Sequence, residues 1–149
     1  MGNAIFDQRH RLVLSGVWAA PFGFTTGGIA TLATGLPYNV VTGVNNSGDT
    51  GATTDRPVID GAVVGRNTGR GTAIFDVEPF VGKRIALGER VHANLRAEAF
   101  NVLNHRNVVG FSGTWGNKAT PGTGFGAPLA GVTNQLPARE LQFSAEVEF

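Results

Sequence analysis

Apolar and polar residues alternate with a period of two along much of this chain, and each alternating run stops at glycine, proline or a charged turn. Period two is the mark of a strand whose two faces meet different surroundings. The pattern predicts five strands. The first runs from His10 to Ala20, with Leu12, Leu14, Gly16 and Trp18 on one face and Arg11, Val13, Ser15 and Val17 on the other. APFGF, holding Pro21 and Gly23, then reverses the chain tightly. The second strand, Phe24 to Tyr38, is rich in glycine and only weakly patterned. The third, Ala73 to Leu87, sets Phe75, Val77, Pro79, Val81 and Ile85 against Asp76, Glu78 and Arg84, and LGER turns it back at Gly88. The fourth, Arg90 to Val102, sets Val91, Ala93, Leu95, Ala97 and Ala99 against His92, Asn94, Arg96 and Glu98. The fifth is ELQFSAEVEF, residues 140–149, where Leu141, Phe143, Ala145, Val147 and Phe149 alternate with Gln142, Ser144, Glu146 and Glu148.

The connections between these strands run short, long, short, long, the long ones covering 39–72 and 103–139. Compact soluble domains rarely hold two structureless loops of that length. Outer-membrane β-barrels combine short periplasmic turns with long outer loops, and their walls alternate lipid-facing apolar and lumen-facing polar residues. The expected fold is therefore all-β: an antiparallel meander of about five strands forming part of a transmembrane barrel wall, with two long outer loops. Trp18, Phe22 and Phe24 near one end and Tyr38 and Phe75 near the other fall where interfacial aromatic girdles lie. Bacterial single-chain barrels start at eight strands, and an open sheet leaves unpaired edges that hydrocarbon does not tolerate. Residues 1–149 are thus expected to be a piece of something larger. The alternative is a soluble β-sandwich serving as a binding or adhesion module.

Composition narrows the function classes. Glycine is abundant (22 residues), lysine occurs only as Lys83 and Lys118, and the formal charge is +1, which argues against a nucleic-acid surface built on a basic field. With no cysteine there are no disulfides, thiolate metal sites or cysteine nucleophiles. No apolar run is long enough for a transmembrane helix, and MGNAIFDQRHR lacks the apolar core of a signal peptide. Its opening MGN resembles a myristoylation signal only loosely, because Phe6 stands where Ser or Thr is required.

Candidate chemistry is sparse. Asn45, Asn46, Asp49 and Asp55 in NNSGDTGATTD form an oxygen-rich loop, but its spacing is not that of a calcium-binding loop, and Asx turns are the expected use. The clusters GRNTGRG and GTGFGAP lack the strand-to-helix context of a phosphate-binding loop. His10, His92 and His105 are dispersed, and Ser15 and Ser47 lie outside any nucleophile-elbow motif. Asp76, Glu78, Arg84, Arg96 and Glu98 fall on the polar faces of the third and fourth strands and are expected to form a lumen-facing charge network. A hydrolase using the Glu78/Glu98 region is the weaker reading of the same residues. No catalytic, cofactor-binding or metal residues are assigned, and the chain is expected not to be an enzyme.

RHRLVLSGVW, GLPYNVVTG, NNSGDTGATTDRP, GRNTGRG, RAEAFNVLNHRN and the closing Phe149, taken in this order, resemble the C-terminal end of TonB-dependent receptors, and within them the Oar-like group with a carboxypeptidase-regulatory-like domain before the plug. The resemblance covers nearly the whole chain, and EAFNVLNH and DRP followed by GRNTGRG are its most specific parts. It implies the last five strands and last two outer loops of a 22-stranded barrel with a plug, importing a large substrate with energy passed from TonB. The implied partners are outer-membrane lipid, the remaining strands and plug, the barrel-assembly machinery, and TonB through the plug only. The implied location is the bacterial outer membrane. Plug, TonB box, signal sequence and further strands are not in these residues, and Thr26, Gly28 and Ala30 are small for a lipid-facing strand. The resemblance also gives the last strand a role. Leu141, Phe143, Ala145, Val147 and Phe149 match the alternating apolar signal, ending in an aromatic, that the assembly machinery reads.

Overall fold

Strands form where the alternation is strongest, and their register shows why. In the computed structural model, which describes residues 2–50 and 54–149, the five long strands are β1 (Arg11–Ala20), β2 (Phe24–Ala33), β3 (Ile74–Ala86), β4 (His92–Phe100) and β5 (Glu140–Glu148). They make one antiparallel sheet in the order β1-β2-β3-β4-β5, so each pairs with its neighbour in sequence. Across β3, β4 and β5 the register aligns Val81, Ala97 and Phe143 in one row and Ile85, Ala93 and Val147 in another. The intervening rows are Gly82, Arg96 and Ser144, then Lys83, Leu95 and Ala145, then Arg84, Asn94 and Glu146. Residues directly opposite one another share a face, so one face is apolar across all three strands except at Lys83 and the other is mostly polar. A slip of one residue in any strand would exchange the faces.

Both predicted reversals are present. Pro21–Gly23 forms a single 3₁₀ turn in which Phe22 (φ 62°) and Gly23 (φ 75°) are left-handed. Leu87 N–H donates to the Val91 carbonyl at 2.9 Å, closing the β3–β4 turn. The second strand is shorter than its expected span to Tyr38. It ends at Ala33, and Pro37–Tyr38 instead pairs antiparallel with Gly69–Arg70. Thr34 still follows the pairing of β1 with β2, its N–H donating to the His10 carbonyl at 3.0 Å, and beyond it Gly35 lies so close to the Gly71 backbone that no Cβ would fit. Within β2, Gly27 is required for close packing, because a Cβ there would meet the Gly16 carbonyl and the Phe80 ring. The weak patterning of this strand follows from such close approaches.

The chain divides into two compact units. The strand unit comprises Arg11–Leu32, Ile74–Asn107 and Pro137–Phe149. It has almost no interior of its own: β1 is exposed along nearly its whole length and β5 throughout. Its sheet has no second sheet packed face to face within the unit, as a sandwich would require.

The loop unit comprises Met1–His10, Ala33–Ala73 and Val108–Leu136. The long connections were expected to be structureless, and the structure corrects this. Val58–Ile59 and Ala62–Val63 form a hairpin whose turn residues, Asp60 (φ 51°) and Gly61 (φ 78°), both take the left-handed conformation that suits strand twist. Val41 bridges Thr114, Val108 bridges Gln135 and Phe111 bridges Pro128. Ala33, Val40 and Val108 are buried, and Tyr38 stacks on Phe111 at 5.6 Å between ring centroids. Phe125 lies 6.3 Å from Tyr38 and meets Trp115 edge-on at 4.9 Å. Tyr38, expected in a girdle beside Phe75, thus packs within this aromatic cluster. GRNTGRG is a cross-link: Asn67 and Asn3 exchange side-chain hydrogen bonds with each other's carbonyls at 2.8 and 2.9 Å, and Arg70 pairs with Asp7 at 2.5 Å.

Candidate functional site

The polar face of β3–β5 carries most of the charges singled out in the sequence, but their partners differ from a single network. Arg96 pairs with Glu98 along its own strand at 2.7 Å, and its guanidinium lies 3.9 Å from the centroid of the Phe80 ring. Arg84 reaches across to Glu148 at 3.3 Å, and the same carboxylate accepts from the Asn94 amide at 2.9 Å. Asp76 and Glu78 belong to no ion pair among the described residues, and Asp76 Oδ1 is buried without a hydrogen-bond partner. The five predicted charges therefore divide into one close pair, one arginine recruited by β5, and two carboxylates held apart from the arginines. Glu148 and Asn94 were missed as partners because the pairing depends on register.

Of the two large aromatics that the register places on this face, Phe100 stands opposite Glu140 and Phe80 directly opposite Glu98. Gly27 makes room for its ring, and Arg96 covers it. Around it lies a groove of about 430 Å³, bordered by Ile29, Glu78, Phe80, Arg96 and Glu98. The groove offers apolar walls with an ion pair at the rim, an arrangement suited to holding an amphipathic group. Glu98, committed to Arg96, does not stand as a free carboxylate beside Glu78.

On the opposite face Lys83 breaks the apolar row. Its ammonium donates to the Phe22 carbonyl at 2.5 Å and sits 3.9 Å over the Phe24 ring, so the stem lies along the apolar surface while the charge is satisfied at the short turn. The large side chains of β5 on this face stay open: Phe143 is 77% exposed. β5 is an edge strand, paired with β4 alone, and it carries Leu141, Phe143, Ala145 and Val147 on the apolar face.

The sequence reading missed the structural work of three asparagines in FNVLNHRN. Asn101, at φ 45°, donates to the His105 and Pro137 carbonyls at 2.9 and 3.0 Å and accepts from the His105 N–H. Asn104, at φ 49°, accepts from the Arg139 N–H at 3.2 Å. Asn107, 1% exposed, accepts from the Phe75 N–H at 2.8 Å and donates to the Phe75 carbonyl at 2.7 Å. Where β4 has ended, the Asn107 side chain replaces a strand partner for β3, and Asn101 and Asn104 tie the exit of β4 to the entry of β5. The spacing of three asparagines at every third position was the available signal, since Asn is the side chain best able to mimic a peptide group and to accept a left-handed backbone.

In the loop unit, Asp55 accepts from the Asn46 and Ser47 N–H groups at 2.5 and 2.8 Å and from the Ser47 hydroxyl at 3.1 Å. Donation from the Ser47 and Asn46 backbone holds its carboxyl below the usual aspartate range. Asn45 Oδ1 accepts from the Gly48 N–H at 2.7 Å in the manner of an Asx turn. Residues 51–53 of this stretch lie outside the described residues. No cluster of three or more His, Cys, Asp or Glu side chains able to hold a metal occurs among the described residues.

A search of curated proteins and a search of solved structures each returned no match. A family described as "Outer membrane beta barrel domain" matches residues 60–142, more than half of the chain, spanning the second part of one long connection, β3, β4, the whole of the other long connection and the start of β5. The antiparallel five-stranded meander, its one apolar and one charged face and this match agree: the chain belongs to the outer membrane β-barrel domain family, whose place is the bacterial outer membrane.

Proposed function

We propose that this chain supplies part of the barrel wall of an Oar-like TonB-dependent receptor, a protein of energy-coupled uptake of a large substrate, with no catalytic role. The observation that carries the reading is the structural task of RAEAFNVLNHRN. This stretch contains EAFNVLNH, one of the two most specific parts of the resemblance, and its asparagines tie β3, β4 and β5 together. In this reading the face bearing Leu95, Phe143 and Val147 meets lipid, and the face bearing Asp76, Glu78, Arg84, Arg96 and Glu98 meets the lumen. Both edges of a five-stranded sheet need partners in hydrocarbon, so further strands complete the wall, and TonB acts through a plug. β5, with Leu141, Phe143, Ala145, Val147 and Phe149, is the strand presented to the assembly machinery, its free edge suited to β-augmentation.

Two measurements test the reading. The full-length receptor, extracted in detergent, is expected to be captured by the periplasmic domain of TonB; a heat-modifiable barrel that is never captured would overturn the receptor assignment while leaving the family intact. For assembly, Phe149→Asp is expected to reduce sharply the heat-modifiable barrel in purified outer membranes relative to total protein made. Phe149→Tyr and Val13→Ala should leave it nearly unchanged. Equal yields from Phe149→Asp and the parent would remove the signal role.

A further inference from the structure

The loop unit holds a second cavity, of about 350 Å³, lined by Thr42, Asn46, Arg56, Asn117 and Lys118 together with Pro57, Val58, Gly116 and Ala119. Two separate connections build it. Thr42, Asn46 and residues 56–58 supply one wall and 116–119 the other, and they are locked together by the Val41–Thr114 bridge and by Trp115 N–H donating to the Val41 carbonyl at 2.8 Å. The second wall is itself fixed, since Trp115 Nε1 donates to the Lys118 carbonyl at 3.0 Å. At the junction the Asn46 and Asn117 amides exchange hydrogen bonds at 3.0 and 3.3 Å. Each amide has two N–H donors and a carbonyl with two lone pairs, so this exchange leaves donor and acceptor capacity on both.

The charge of this cavity is one-sided. Arg56 gives one N–H to the Val64 carbonyl at 3.0 Å, and neither Arg56 nor Lys118 forms an ion pair among the described residues. Lys118 is one of only two lysines in the chain, and the other is occupied at the β1–β2 turn. The nearest carboxylate in sequence, Asp55, is turned to the Asn46 and Ser47 amides and does not line the cavity. Two cations, two amides and walls mixing polar with small apolar groups are complementary to an oxyanion carried by a hydroxyl-rich molecule. The volume is at the small end for ligand sites, which limits the ligand to about the size of one sugar.

We propose that this cavity is a binding site for a small anionic sugar, a uronic acid or a sugar phosphate, with Arg56 and Lys118 holding the oxyanion and Asn46 and Asn117 the hydroxyls. Binding at this site is independent of how uptake is energised, so capture by TonB and ligand binding can fail separately. The test uses the full chain in detergent micelles, reading Trp115 fluorescence in a Trp18→Phe background, with glucuronate, glucose 6-phosphate, inorganic phosphate and glucose as probes. Saturable binding of glucuronate or glucose 6-phosphate is expected, at least about tenfold tighter than glucose, the factor that a lost charge-assisted hydrogen bond removes. Lys118→Gln, which keeps the stem and removes the charge, should cost about tenfold or more by the same measure, with no change in the near-ultraviolet spectrum. The two sources separate cleanly: preference for glucuronate identifies a carboxylate ligand, and preference for glucose 6-phosphate a phosphate one. Glucose binding as tightly as both anions, inorganic phosphate outcompeting both sugars, or affinity unchanged in both Lys118→Gln and Arg56→Gln would overturn the proposal.

Discussion

The two units of this chain solve the same problem, satisfying a polar backbone, in opposite ways. The strand unit satisfies it chiefly with ladders: its rows of residues alternate sides, and its apolar side chains are left uncovered by the chain itself, as with Leu141, Phe143 and Val147. The loop unit satisfies it with turns, isolated bridges and side-chain amides, and it covers its own apolar groups, burying Val40 and Val108 beside an aromatic cluster around Tyr38. A surface that is apolar yet uncovered makes sense where the solvent is lipid, and a small self-covered core makes sense where it is water. The comparison teaches that a period-two pattern reports the solvent on each side of a sheet, whereas irregular loops need their own interior to hold a shape.

The sharpest way to break the comparison is at Asn107, where the strand unit departs from pure ladder bonding. Replacing Asn107 by Ala removes both bonds to the Phe75 backbone and strands a buried donor and acceptor, each costing about 1–3 kcal/mol, so a loss of about 2–6 kcal/mol is expected. Asn107→Asp should be nearly as damaging, because it keeps the acceptor and loses the donor. Equilibrium urea unfolding of the full chain in micelles measures this, and a loss below about 1 kcal/mol, less than one such unmet group, would mean that the ladder does not need the amide.

Next is the face itself. Phe143 sits in the row with Ala97 and Val81, while Ser144, one residue on, shares a row with Arg96. Arg in place of Phe143 should destabilise the bilayer-inserted protein by about 2–4 kcal/mol if it lies near the midplane of the membrane. Ser144→Arg, on the wet face, should change stability little. Refolding into lipid vesicles measures both, and equal effects would show that the two faces meet the same solvent.

The strands were legible because alternation is a local signal that survives in one sequence, and all five appear within a few residues of their expected limits. The end of β2 was not legible. Thr34 still bonds His10 across the hairpin, and the chain departs at Gly35, packed against the backbone of Gly71, a residue distant in sequence. The interior of the long connections was missed for a related reason: Val40 and Val108 stand in the valine pairs Val40–Val41 and Val108–Val109, too short to show a period, and only tertiary contact makes them a core. The hairpin at Asp60–Gly61 did carry a local turn signal, overlooked between two-residue strands too short to show alternation. Among the charges, sequence placed Arg84 and Arg96 on one face but left their partners, Glu148 and Glu98, to be decided by register.

A smaller effect tests whether the loop unit opens by itself. Val40, 5% exposed, loses two carbons in Val40→Ala, worth about 1.5 kcal/mol at roughly 0.8 kcal/mol each. If the unit has its own core, hydrogen exchange should quicken roughly tenfold for its bridged amides, those of Val41, Val109 and Trp115, because 1.4 kcal/mol is one decade in opening. The amides of β4 should not change. Acceleration spread evenly over both units would show that they open as one.

The smallest effect concerns protons, and it separates the units by chemistry. Ladder bonds carry no titrating group, but the turn at 45–48 is closed on the Asp55 carboxylate, which accepts from the Ser47 and Asn46 amides. Those bonds favour the charged form, so the carboxyl is held below the usual aspartate range in the folded loop. The sign follows from linkage: above the ordinary aspartate range both folded and unfolded loops are deprotonated, and the contribution is complete. As pH falls through that range the unfolded loop takes up its proton first, and the contribution drains away until the folded carboxyl also titrates. Among the described residues the carboxylate bonds only within this surface turn, so the change is confined to the turn and leaves the rest of the chain in place. In amide spectra of the full chain, the Ser47 N–H should hold its position through neutral and mildly acidic pH and move only below the usual aspartate range. In Asp55→Asn it should not move at all. A Ser47 signal that titrates with an ordinary aspartate midpoint, or one that still titrates in Asp55→Asn, would mean that the turn is not held by this carboxylate.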